Sequence, residues 1–140
     1  MEKVNEQMLK QAIDLAYSGN KEESFKLFAR IVRADPEKAL AWIYLGALVD
    51  TIGKRVYCYQ RALIINPLDG QTKKLLSSAE SEIIKLKEYQ FTCQEIISRY
   101  PENSKARDLS LLLEEPGNVR VTLLGKMRTL MDEINRELLT

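Results

Sequence analysis

Three prolines divide this chain at near-regular intervals: Pro36, Pro67 and Pro101 stand 31 and 34 residues apart. Each closes a similar phrase, FARIVRADPEKA, YQRALIINPLDG and CQEIISRYPENS. Eight residues before the prolines stand Phe28, Tyr59 and Cys93; five before stand Ile31, Ala62 and Ile96. A large or apolar residue followed three positions on by an aliphatic one marks one face of a helix. The proline then ends that helix, because its ring pushes the preceding residue out of the α region. Repetition at this period restricts the chain to a stack of short helical units, none of which can bury its apolar face alone.

Composition agrees. Apolar residues are 45% and charged residues 29% of the 140, a globular rather than a disordered balance, and only 6 Gly and 4 Pro interrupt it. Helix is therefore the default. The first unit reads as helices over residues 4–17 and 21–34, with Ser18-Gly19-Asn20 as the turn. The second reads as helices over 37–49 and 54–65. Small residues at Ala12 and Gly46 allow close approach of helix axes.

The pattern resembles the tetratricopeptide repeats. Trp42, Leu45 and Gly46 match the family's W-x2-L-G; Tyr59, Ala62 and Pro67 match its later aromatic, alanine and proline. Val49 stands where the family has tyrosine. The first unit matches through Gly19, Phe28 and Pro36, with Met8, Ala12 and Leu15 at the positions of the Trp, Gly and Tyr. The second unit is three residues short between its helices, so DTIGKR must turn tightly, and Arg55 falls where a small alanine is usual.

Residues 70–100 contain neither Gly nor Pro after Gly70. Thr72, Leu76, Ala79, Ile83, Leu86, Gln90, Cys93, Ile97 and Tyr100 step by alternating fours and threes, the spacing of a helix seam. This segment is either a third, degenerate hairpin, as the Cys93–Pro101 register suggests, or one helix of about 45 Å, as the missing turn signal suggests. A short helix over 103–113, capped by Asn103 or Ser104, and a last helix over 119–139, capped by Asn118, complete the chain. Val119–Thr122 alternates like the start of a strand, but the helical period that follows is longer. The expected fold is all-α: two tetratricopeptide-like hairpins over 1–69, then C-terminal helices over 70–140, packed as one domain.

Chemistry is sparsely signalled. There is no histidine, which removes Ser-His-Asp and Cys-His catalysis and histidine metal sites together. Cys58 and Cys93 read as core thiols; Arg61, three residues after Cys58, gives little support for activation. Glu22-Glu23 and Glu114-Glu115 are adjacent pairs whose side chains diverge on a helix, so neither forms a carboxylate site. Lys73-Lys74 and Lys85–Lys87 sit among Glu80, Glu82 and Glu88 and read as a solvated mixed-charge face. GNKEES and TIGK lack the spacing of a phosphate loop. No catalytic, metal or cofactor residues are expected.

Lys+Arg is 21 against Asp+Glu 20, and each half is balanced, 10 to 9 through Asp69 and 11 to 11 beyond. No basic excess points to nucleic acid. Residues 1–7 are polar, and the longest apolar run, residues 39–49, falls short of the ~20 a membrane span needs. A cytoplasmic location without membrane or nucleic-acid partners is expected.

The resemblance implies a non-catalytic scaffold that binds another protein in a groove lined by the first helix of each unit. Carried over by position, that face is Leu9, Lys10, Ile13 and Tyr17, then Ile43, Tyr44, Ala47 and Asp50. It is mostly apolar and suits an apolar peptide or helix. The family's carboxylate clamp is not reproduced, since Leu9, Ile13 and Tyr44 stand where it needs polar donors; binding of acidic chaperone tails is not expected. A second expectation is a homodimer through the apolar seam Met127, Leu130, Met131, Ile134 and Leu138, if one small domain leaves it exposed. The alternative of a different kind is a regulatory or RNA-associated helical protein.

Overall fold

The computed structural model describes residues 6–139, and among these the chain is all-α. Seven α-helices follow one another: α1 (Glu6–Tyr17), α2 (Lys21–Ala34), α3 (Ala39–Leu48), α4 (Ile52–Ile65), α5 (Gly70–Arg99), α6 (Ser104–Leu112) and α7 (Leu124–Leu139). Short 3-10 turns at Pro116–Asn118 and Val121–Leu123 precede α7. The expected start of the first helix at residue 4 lies outside the described residues.

Two compact units form, one from residues 1–49 and 54–79, the other from 50–53 and 80–140. α5 runs unbroken for 30 residues, as its lack of internal Gly and Pro permits. Residues 70–79 belong to the first unit and residues 80–99 to the second.

In the first unit the α1–α2 turn is set by its glycine. Gly19 has φ 88°, the left-handed region glycine enters without a Cβ penalty. Asn20 N–H donates to Leu15 carbonyl at 2.9 Å and Gly19 N–H to Ala16 carbonyl at 3.3 Å, the paired bonds of a Schellman cap. The chain reverses and α2 packs on α1: Ser24 Oγ donates to the Ala12 carbonyl at 2.7 Å in the buried contact. Phe28, Ile31 and Ala12 are fully buried, joined in one core by Leu9, Leu27, Val32, Ala41, Leu45, Val49 and Cys58.

The close approach expected at Gly46 is present between α3 and α4. A Cβ there would stand 2.6 Å from Tyr59 Cε1 and 3.2 Å from Cys58 Cβ. Arg55 has a role the sequence reading did not find. Its Nε donates to the Gly46 carbonyl at 3.0 Å and its Nη2 to the Ala47 carbonyl at 3.3 Å. A cation thus satisfies the orphan carbonyls at the end of α3, where the helix dipole favours it. The start of α5 is capped too: Asp69 Oδ1 accepts from Gln71 N–H at 3.1 Å, and Oδ2 from Thr72 Oγ1 at 2.7 Å. These bonds hold the Asp69 carboxyl below its ordinary range, the Thr72 hydroxyl contributing most.

The shortened DTIGKR segment does turn tightly, with only residues 49–51 between α3 and α4, and its Asp50–Gly53 part is a short strap in the second unit. Thr51 forms an isolated antiparallel bridge with Arg120. Ile52 N–H donates to Val119 carbonyl at 3.1 Å, and Val121 N–H to Asp50 carbonyl at 2.9 Å. The alternation in Val119–Thr122 therefore marks a real pairing, one bridge long. Gly53 lets it close, because a Cβ there would stand 2.7 Å from the Gly117 carbonyl oxygen. The last helix consequently starts at Leu124 instead of residue 119, and Asn118 lies in a 3-10 turn instead of capping it. Asn103 does cap α6, its Oδ1 accepting from Ala106 N–H at 3.0 Å.

The seam on α5 faces inward. Thr72, Ala79, Leu86 and Cys93 are buried, with Leu76, Ile83, Gln90 and Ile97 half-buried between them; Tyr100, beyond the helix end, is exposed. The four-three spacing thus records packing within the chain. Lys73, Lys74, Lys85 and Lys87 point to solvent on the opposite side.

Candidate functional site

The face expected to bind a partner divides into three groups. Leu9 is 6% exposed and belongs to the core, which removes it from the surface. Asp50 follows the end of α3 at Leu48 and lies in the strap of the second unit, so it too is off the helix face. The remaining residues, Lys10, Ile13 and Tyr17 on α1 and Ile43, Tyr44 and Ala47 on α3, all reach the surface of the first unit to some degree.

Their organising feature is Tyr44, which stacks on a ring of α2 and hydrogen-bonds to Tyr17 of α1. Phe28 of α2 is fully buried, and the Tyr44 ring of α3 lies parallel to it with centroids 5.1 Å apart and planes 6° from coincidence. Tyr17 of α1 is 80% exposed. A hydrogen bond with Tyr17, helped by burial, pushes the Tyr44 hydroxyl above its ordinary range. Tyr44 therefore stays neutral and able to donate. The stack leaves the Tyr44 phenol little rotamer freedom to lose on binding. Ile13 and Ile43 are half-buried and Lys10 and Ala47 exposed.

The C-terminal seam is different. Met127, Met131 and Ile134 are at most 3% exposed, buried by the second unit itself, while Leu130 and Leu138 are half-buried. Three of the five residues of the expected self-association seam are thus packed inside the second unit, and Leu130 and Leu138 keep partial exposure.

Both cysteines are free and buried. Burial pushes the Cys58 thiol up from 9.0 to about 11 and raises Cys93 as well. Neither is a thiolate at neutral pH. Because the folded thiol ionises later than the unfolded one, this contribution to stability is whole below pH 9.0 and is lost as pH rises towards about 11. At pH 8, Ellman's reagent is expected to leave both thiols unmodified until denaturant is added; rapid reaction of either in the native protein would contradict this burial.

The expected carboxylate pairs lie on the surface, Glu22, Glu23, Glu114 and Glu115 all being exposed. Among the described residues no helix is long and apolar enough to cross a membrane. No protein-family model, curated protein or solved structure matches this chain.

Sequence reasoning missed two arginines. Arg55 was legible only as a misfit in a repeat register. Arg61 was weighed only beside Cys58, whereas its neighbour in space is Trp42, with the guanidinium carbon 5.7 Å from the indole centroid. The four-residue spacing from Tyr57 was the available signal, since such residues share a helix face.

Proposed function

We propose that the chain is a tetratricopeptide-like interaction scaffold that binds an apolar peptide or helix of another protein, without catalysis, in the cytoplasm. The observation that carries this reading is Tyr44, stacked on the buried Phe28 and hydrogen-bonded to Tyr17. The pair Tyr17 and Tyr44 puts aromatic surface on the first helix of each hairpin, the side on which such repeats take their ligands. The half-buried Ile13 and Ile43 give that surface apolar flanks. The Gly19 turn and the Gly46–Tyr59 contact support the repeat-like geometry.

Affinity capture followed by mass spectrometry tests the reading. The wild-type chain is compared with Ile43→Glu and Tyr44→Ala, each checked by circular dichroism. A specific partner retained by the wild type should be lost from both variants. For Tyr44→Ala a loss of about 2 kcal/mol, some thirtyfold in affinity, is the expected scale for a central aromatic anchor. Full retention by both folded variants would remove the α1–α3 face from the account.

A further inference from the structure

A second surface of the first unit carries an unbalanced charge. Arg61, on α4, is half-buried, yet its charge has no carboxylate partner among the described residues. Its Nε is buried and has no hydrogen-bond acceptor. Its guanidinium instead lies against Trp42, 5.7 Å from the ring centroid. Trp42 is itself fixed: its Nε1–H donates to the Pro36 carbonyl at 2.9 Å, and the Tyr57 ring meets it edge-on at 6.0 Å.

Three physical facts follow. A partly desolvated guanidinium is stabilised by an aromatic face, but a ring supplies no acceptor for its N–H groups. Such a group favours a carboxylate, which, with Nε buried, would take its two hydrogen bonds from the terminal Nη groups. The flanks are apolar: Tyr57, one turn before Arg61, is 56% exposed, and Ile64, one turn after, is 68% exposed. The complementary ligand is an anion between apolar groups.

We infer that the Trp42–Tyr57–Arg61 cluster is a docking niche for a carboxylate side chain of a partner polypeptide, seated between apolar residues. This site is separate from the α1–α3 face. Trp42 and Tyr44 stand two residues apart, about 200° around the helix axis, so they look to different sides of α3.

Trp42 is the sole tryptophan of the chain, so its emission reports on this niche without ambiguity. The full chain is titrated with a pool of acetylated, amidated pentapeptides that carry Glu at the centre and Leu, Ile or Phe elsewhere. A matched pool carries Gln at the centre. The Glu pool should change Trp42 emission saturably, and the Gln pool should bind at least about tenfold more weakly. Arg61→Gln should abolish the difference between the pools. If that variant fails to fold, the comparison of the two pools on the wild-type chain still decides the matter.

Equal responses to both pools, or no saturable response to the Glu pool by about 10 mM, would overturn the inference. So would sodium acetate matching the Glu pool, which would make this a bare anion site. Emission that depends on protein concentration alone would do the same, by making the occupant a second copy of the chain. Each outcome is read at Trp42 and leaves the capture experiment on Ile43 and Tyr44 unaffected.

Discussion

Phe28→Ala is expected to cost about 3–5 kcal/mol, a large share of the stability of a domain this size. Phe28 is fully buried where α1, α2 and α3 meet, and it carries the Tyr44 ring on its face. Removing it deletes the apolar burial and leaves a cavity that helices held by the Gly19 turn and the Ser24–Ala12 bond close only in part. For a chain of this size the melting temperature should fall by roughly 10 °C or more. Phe28→Leu separates packing from positioning. It keeps most of the volume and should cost less than about 1.5 kcal/mol. It also leaves Tyr44 without a ring to stack on, so partner capture should weaken in a chain that remains folded. Thermal melts by circular dichroism, with capture on the same samples, check both statements.

Gly46→Ala is expected to have the opposite sign from the usual effect of that change. In an exposed helix interior, glycine to alanine stabilises by roughly 0.5–1 kcal/mol. Here the new methyl carbon would stand 2.6 Å from Tyr59 Cε1 and 2.9 Å from its Cδ1. Tyr59 is buried, so its ring cannot swing into solvent. Overpacking of this kind costs typically 1–3 kcal/mol, which outweighs the gain in helix propensity. A net loss of about 1–2 kcal/mol is expected by urea denaturation, and a larger one for Gly46→Val. A stabilised Gly46→Ala chain would mean that α3 and α4 do not meet at this glycine.

The helices were legible because punctuation and periodicity agreed. Gly19, Pro36, Pro67 and Pro101 mark ends, and α2 occupies the expected residues 21–34. On α5 the four-three spacing identified the inward face, though not what would lie against it. The missing turn signal and the Cys93–Pro101 register point opposite ways, to one long helix and to a hairpin, and the helix is continuous from Gly70 to Arg99.

What was not legible depends on contacts distant in sequence. The pairing of Asp50–Ile52 with Val119–Val121 joins segments about 70 residues apart, so no local pattern announces it. It explains three local departures together: the missing residues in DTIGKR, the glycine at Gly53, and the late start of α7. Leu9 was misplaced because an apolar residue on a groove face and one in the core have the same side chain; only the packing of α2 separates them. Met127, Met131 and Ile134 carry the same lesson. An apolar stripe shows that something covers it, and here the covering elements lie within the same unit. Arg55 was judged by a family register when its role is to hold the end of α3.

The most direct test of the proposed scaffold is photo-crosslinking from the α1–α3 face. A benzophenone amino acid replaces Tyr17, whose side chain is 80% exposed, and in a control chain it replaces Leu111, which is 72% exposed in the second unit. On irradiation in extract, the Tyr17-substituted chain should crosslink to one specific protein, and addition of Ile43→Glu should abolish that product while the Leu111 control yields none of it. Crosslinks that are equal from both positions, or that persist in the Ile43→Glu chain, would contradict the assignment of this face as the partner surface.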